Sequence, residues 1–301
     1  MRRQPLAVKQ RIATVATALL VLLAVVVINS LQHGSMINRL YVFGDSLSDT
    51  GAVFRATGGS YPPNPPYFQG RYSNGRVWVE YLGDRLGISS NQIYNFAWGG
   101  ATTGNQVGNL VPSLQSQVQS FLQTRPQLQS SDLFILWAGA NDYLQGANQA
   151  GPPIANVTAA LLALMEAGGQ QFLVANLPDL GQLPATRSSA SASTLTTLTQ
   201  SHNQELRRAL KQLGQKHAGL QLATLDAHRL YREAVTNPAG VGLTNVLSAC
   251  VAATYICDNP DQFLFWDGIH PTRAAHQLLA KAAIAALESE GMVSSKSPLA
   301  L

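Results

Sequence analysis

A serine near the start of a 301-residue chain and an aspartate and histidine near its end are residue types that permit nucleophilic chemistry. Ser46 stands in "YVFGDSLSDT" (41–50), where an apolar run stops at Gly44 and the serine is flanked by Asp45 and Asp49. Asp267 and His270 stand in "FWDGIHPT" (265–272). A serine hydroxyl is a weak nucleophile until a base takes its proton. Histidine is the side chain best suited to that at neutral pH. A carboxylate then fixes the imidazole tautomer and stabilises the imidazolium. Asp267 lies three residues before His270 with Gly268 between, so one tight loop can bring both side chains together. The competing reading is structural. Ser and Asp are ordinary cap and turn residues, and Asp267 and His270 would then belong to a solvated loop.

Acyl chemistry has a further requirement, donors aimed at the oxygen on which negative charge develops. Three are available. Ser46 offers its own N–H where the chain leaves a strand for a helix N-terminus. Gly100, in "WGGAT" (98–102), lets the backbone approach closely and offers a second. Asn141, in "GAND" (139–142), offers a side-chain amide.

The elements that must position these residues follow from apolar patterning. Runs of strand length occur at 40–43, 93–97, 133–138, 171–177 and 220–226. They are continuously apolar rather than alternating, as expected of strands buried on both faces. Segments of helical spacing lie between them at 77–86, 107–122, 154–167, 194–216 and 273–287. The alternation predicts an α/β fold with a five-stranded parallel sheet between helix layers. Sites in such sheets form at the carboxyl ends of the strands. Ser46, Gly100 and Asn141 follow the first three runs, and Asp267 and His270 come after the fifth. The loop 57–71, "TGGSYPPNPPYFQGR", cannot be regular structure. It is read either as a cover that shapes the substrate pocket or as an inert surface loop. Tyr61, Tyr67, Phe68, Tyr72 and Trp98 are the aromatics that would line an apolar acyl pocket.

Taken in order, "GDSLSD", "GGAT", "GAND" and "DGIHPT" resemble the four blocks of the GDSL, or SGNH, hydrolases. Ser46, Gly100, Asn141 and His270 match the four name-giving positions, with Asp267 completing a triad. The likeness runs from about 40 to about 287. "GRYSNGRVWVEYL" and "NPDQFLFWDGIHPT" resemble the branch of plant GDSL lipases and bacterial haemolysin-like phospholipases and acyltransferases. The resemblance implies a three-layer, flavodoxin-like α/β/α sandwich, serine esterase chemistry, an acyl ester substrate of lipid-like kind, and no metal or organic cofactor. Transfer of the acyl group to another alcohol is the nearest alternative, and a non-catalytic surface-binding protein is a more distant one. The α/β-hydrolase nucleophile motif G-x-S-x-G does not fit, because position 48 is Ser48 rather than glycine.

Charge and composition bound the remaining possibilities. The chain is 46% hydrophobic and 12% charged, which excludes global disorder. Its net charge of +4 misleads. Arg2, Arg3, Lys9 and Arg11 precede any acidic residue, and the rest of the chain carries 16 basic against 16 acidic residues. Nucleic acid is therefore no expected partner. The basic head is followed by 17 uncharged residues, 12–28, the pattern of an export signal. This run is longer than a signal core of ~7–15 residues and shorter than the ~20 that span a bilayer comfortably. Residues 1–35 are thus read as a signal peptide or a membrane anchor, 37–290 as the hydrolase domain and 291–301 as a tail. The catalytic domain is expected outside the cytoplasm. Cys250 and Cys257, separated by six residues, are read as a disulfide, with buried thiols as the alternative. Two cysteines without further ligands do not make a zinc site. His202, His228 and His276 are read as packing or surface residues, and Asp45 and Asp49 as turn-stabilising. Asn156 heads a formal glycosylation sequon.

Overall fold

Apolar runs rich in Val, Ile, Leu and Phe build one central sheet. The computed structural model describes residues 37–105, 110–252 and 255–294, which lie in the compact unit Ile37–Leu301. Its strands are β1 (Arg39–Gly44), β2 (Ile93–Asn95), β3 (Asp132–Trp137), β4 (Gln171–Ala175) and β5 (Gln221–Leu225). They are ordered β2-β1-β3-β4-β5 and every neighbouring pair is parallel. The helices are α1 (Ala52–Ala56), α2 (Trp78–Arg85), α3 (Leu114–Gln123), α4 (Ala140–Leu144), α5 (Gly151–Glu166), α6 (Ala192–Lys216), α7 (Ala227–Thr236) and α8 (Arg273–Ser289).

Strand side chains alternate between faces, and this divides the interior into two cores. Leu40, Val42, Leu133, Ile135 and Trp137 pack with residues of α2, α7 and α8. Tyr41, Phe43, Phe134, Leu136 and Phe172 pack with α3, α5 and α6. The second core is aromatic, with Phe134 stacked on Tyr41 at 5.2 Å and on Phe172 at 5.3 Å between ring centroids. Burying each such side chain contributes on the order of 1.5–3 kcal/mol.

The expected three-layer α/β/α sandwich is present, with differences in detail. β1, β3 and β4 are buried on both faces, but β2 and β5 are edge strands and leave Tyr94 and Thr224 exposed. The helix expected over 107–122 begins only at Leu114. Ser113 caps it, its hydroxyl accepting the Ser116 N–H at 3.1 Å, and 107–109 lie outside the described residues. The core runs two residues past the boundary set at 290, since Met292 is fully buried. The leader 1–35 and residues 295–301 lie outside the described residues. Among the described residues no helix is long and apolar enough to cross a membrane.

The insertion after β5 holds two small ladders that sequence patterning did not reveal. β6 (Asn245–Ala249) pairs parallel with β9 (Phe263–Phe265), and β7 (Val251–Ala252) pairs antiparallel with β8 (Tyr255–Ile256). The Cys250–Cys257 disulfide closes the β7–β8 hairpin. Cys250 N–H donates to Phe265 O at 3.0 Å and Val251 N–H to Trp266 O at 2.7 Å. The hairpin is thereby fastened to the segment that runs directly into Asp267.

Candidate active site

The turn after β1 is closed by its own carboxylates. Asp45 O accepts from Ser48 and Asp49 N–H, both at 3.0 Å, and Asp45 Oδ1 accepts from Leu47 N–H at 3.0 Å. Asp49 caps the start of α1 through Gly51, Ala52 and Val53 N–H and also accepts Gly99 N–H at 2.9 Å. The turn-stabilising roles expected of both aspartates are therefore present, and Asp49 reaches the next block as well. Burial pushes the Asp45 carboxyl up to about 7, against the Leu47 hydrogen bond that favours its ionised form.

Gly100 adopts φ +82°, the left-handed region that favours glycine. A Cβ there would meet nothing within 4 Å, so conformation rather than space selects glycine. The neighbouring block is tied to it by side chains. Asn141 Nδ2 donates to Ala101 O at 2.9 Å, and the Asp142 carboxylate accepts from Thr103 N–H at 2.9 Å and Thr103 Oγ1 at 2.6 Å. Gln117 braces β1 from α3, pairing with both N–H and C=O of Gly44 at 2.9 Å. Among the described residues, no hydrogen-bond acceptor engages the N–H of Ser46 or of Gly100.

The loop after β9 brings the last two residues in. Asp267 Oδ1 accepts Ile269 N–H at 2.9 Å and His270 N–H at 2.8 Å. Asp267 Oδ2 lies 2.7 Å from His270 Nδ1 and accepts the Tyr67 hydroxyl at 2.8 Å. His270 Nε2 lies 2.8 Å from Ser46 Oγ. Burial alone pushes the Asp267 carboxyl up. The charge of His270 and the hydrogen bonds from its ring, from Ile269 and from His270 N–H outweigh that and hold it at about 2. An ionised Asp267 accepts only, so Nδ1 carries the proton and Nε2 is left to accept from Ser46. Ser46 and His270 are each 8% exposed, and both line a small cavity.

Tyr67 is the residue sequence reasoning misplaced. Its expected place is among the pocket aromatics, but its hydroxyl joins the Asp267 carboxylate. Burial first, then the nearby carboxylate, push its phenol above the usual range and keep it a donor. The loop 57–71 thus touches the site through Tyr67, while the cavity at Ser46 is lined by other residues, including Leu144, Pro178, Leu180, Leu183 and Tyr231. None of the five aromatics expected in an acyl pocket lines it. A larger cavity, about 530 Å³, lies between β5 and α6 and touches none of the site residues.

The other histidines stand apart. His276 is a packing residue, and its Nδ1 accepts Trp78 N–H at 3.1 Å. Burial and the charge of His270 push it down to about 3. His202 pairs with the Tyr143 hydroxyl at 2.9 Å, and burial pushes it down to about 4. His228 is partly exposed on α7.

Ionised Asp267 has a folded value below its unfolded ~3.9. Its contribution to stability is therefore complete above about pH 5 and is lost as pH falls towards 2. Thermal unfolding should show the gap in Tm between wild type and Asp267→Asn narrowing between about pH 5 and pH 3. A gap independent of pH contradicts the assignment.

Comparison with known proteins places the chain in a family and a fold. The family model described as GDSL-like Lipase/Acylhydrolase matches residues 40–283. The phosphatidylcholine-sterol acyltransferase of Aeromonas hydrophila is 29% identical over 84% of this chain and 91% of its own. The thermolabile hemolysin of Vibrio parahaemolyticus is 28% identical over 81% of this chain, which spans 62% of that longer protein. The crystal structure of Est24, a carbohydrate acetylesterase from Sinorhizobium meliloti, shares the fold with a TM-score of 0.53. It is 15% identical and covers 84% of this chain and 98% of its own. The chain belongs to the GDSL-like lipase/acylhydrolase family, and its class of activity is that of a carboxylic ester hydrolase.

Proposed function

We propose that the protein cleaves acyl esters with Ser46 as nucleophile, His270 as general base and acid, and Asp267 as the orienting carboxylate. The observation that carries this reading is the unbroken chain from Ser46 Oγ to His270 Nε2 at 2.8 Å and from His270 Nδ1 to Asp267 Oδ2 at 2.7 Å. It joins residues more than 200 positions apart in sequence, which isolated turn and cap roles do not explain.

In this reading His270 Nε2 takes the hydroxyl proton as Ser46 Oγ attacks the ester carbon. Ser46 N–H, Gly100 N–H and the Asn141 amide receive the developing oxyanion. Each such donor contributes roughly 3–4 kcal/mol in the transition state. The tetrahedral centre collapses, His270 returns the proton to the leaving alcohol, and an acyl-Ser46 ester remains. Water then loses a proton to His270 as it attacks that ester, and the free acid departs as Ser46 recovers its proton. The substrate class proposed is a lipid-like acyl ester, and no resident metal or organic cofactor has a role in these steps. The leader and the Cys250–Cys257 disulfide support export, to the periplasm or the exterior, either released or held by the apolar segment 12–28.

A second reading has a specific support, the 29% identity with a protein named an acyltransferase over 91% of its length. An alcohol would replace water in the second half of the cycle. An ester product formed when a fatty alcohol or sterol is added, in place of free acid, separates the two.

The primary test compares the full chain with Ser46→Ala on p-nitrophenyl esters from acetate to palmitate. Loss of the nucleophile should lower kcat by about 10³ or more. Equal rates in both proteins would mean that Ser46 is not the nucleophile. Tyr67→Phe keeps the ring and removes only the hydroxyl bound to Asp267. One hydrogen bond of about 1 kcal/mol corresponds to a roughly fivefold fall in kcat, with KM nearly unchanged. A variant identical to wild type would make Tyr67 a packing residue alone.

A further inference from the structure

The cavity at Ser46 is too small to hold an acyl chain. Its volume is about 30 Å³, room for roughly one water-sized group, which suits an ester carbonyl and little beyond. A second cavity of about 160 Å³ shares Leu183 and Tyr231 with it. On the basis that Ser46 is the nucleophile, we propose that this second cavity receives the hydrocarbon chain of the acyl group, which enters past Leu183 and Tyr231.

Three observations point to a chain rather than a polar group. The buried part of the lining is Leu183, Tyr231 and Phe265, which are 3%, 6% and 2% exposed. Every polar lining residue, such as Gln182, Arg232 and Thr236, sits at a partly or fully exposed position. Asp179 also borders the cavity, but its carboxylate already accepts from Gly181 N–H and Thr196 Oγ1. The charged lining residues Asp179 and Arg232 stand at partly and fully exposed positions, outside the buried part of the lining. Val235 and Leu247, 41% and 44% exposed, stand among the lining residues and extend the apolar surface outwards. Isolated exposed apolar residues need no explanation, but a pair at the mouth of an apolar cavity beside a nucleophile gives a long chain somewhere to continue. The larger cavities between β5 and α6, beside α5, and between α3 and α5 share no residue with the cavity at Ser46.

The volume corresponds to about five methylene-sized groups. The interior should therefore hold the first five or six carbons of the chain, with the remainder lying against Val235 and Leu247. Each buried methylene should raise kcat/KM by about fourfold until the interior is full, and additional carbons should add less.

Val235→Trp and Leu247→Trp test this, since each places a large side chain at the mouth without disturbing a buried position. The full chain and both variants are assayed on p-nitrophenyl acetate, p-nitrophenyl octanoate, ethyl octanoate and octyl acetate. The expected result is a loss of about tenfold or more in kcat/KM on both octanoates, with acetate kept within about twofold. Octyl acetate, which carries its chain on the alcohol side, should also be unaffected. Octanoate turnover unchanged in both variants overturns the proposal. So does equal loss on acetate and octanoate, or loss confined to octyl acetate, which would assign the cavity to the alcohol. Ser46→Ala on acetate reports on the nucleophile alone, so failure of the chain site and failure of the Ser46 reading give different results.

Discussion

A carboxylate largely withdrawn from water persists as an anion only when its lone pairs are filled, and much of this site depends on how the partly buried Asp267 meets that condition. Four donors surround it: two backbone N–H groups from its own loop, the His270 ring and the Tyr67 hydroxyl. The backbone pair anchors Oδ1 and leaves Oδ2 for the side chains. With Asp267 ionised, the His270 tautomer follows, and with the tautomer fixed the only free lone pair on the ring faces Ser46. Replacing any of the four donors leaves a charge less well matched at the foot of that chain. The Tyr67 bond also ties the proline-rich loop to the hydrogen-bonded chain. The disulfide hairpin holds the other side through Phe265 and Trp266.

The sheet solves the separate problem of gathering residues from distant positions. Every strand is parallel, so the carboxyl ends of β1, β2 and β3 lie along one edge and deliver Ser46, Gly100 and Asn141 there. Delivery by strands alone is coarse. Side-chain braces refine it: Asp49 to Gly99, Asn141 to Ala101, Asp142 to Thr103 and Gln117 to Gly44. These bonds link each block to its neighbour, and in the proposed mechanism they hold the N–H groups of Ser46 and Gly100 in place before substrate arrives. Preorganisation of this kind is what lets donors stabilise a developing charge without first reorienting.

Much of this was legible in the sequence because the signals were local. Continuous apolar runs marked all five strands, and each of the four motif blocks lies at the strand end or in the loop assigned to it. What was missed depended on tertiary packing. The exposure of β2 and β5 follows from their place at the sheet edges, and strand order is not written in hydropathy. Helix α3 starts at Leu114 because Ser113 caps it, a cue present in "PSLQS" but weaker than the apolar spacing upstream. The role of Tyr67 was hidden, since a tyrosine in a Pro-rich loop carries no mark of a partner 200 residues away. His276 likewise bonds to the backbone of Trp78 across the chain. The small ladders of the insertion have strands of two to five residues, too short for periodicity to identify.

The central claim is that Ser46 attacks and that the N–H groups beside it receive the oxyanion. A crystal structure of the protein treated with an alkyl phosphonate ester tests both at once, because the tetrahedral phosphorus takes the place of the reacting carbon. The account predicts a covalent bond from phosphorus to Ser46 Oγ, with one phosphonyl oxygen within about 3 Å of Ser46 N–H, Gly100 N–H and Asn141 Nδ2. An unmodified Ser46, or an adduct whose oxygen points away from Gly100 and Asn141, would contradict it.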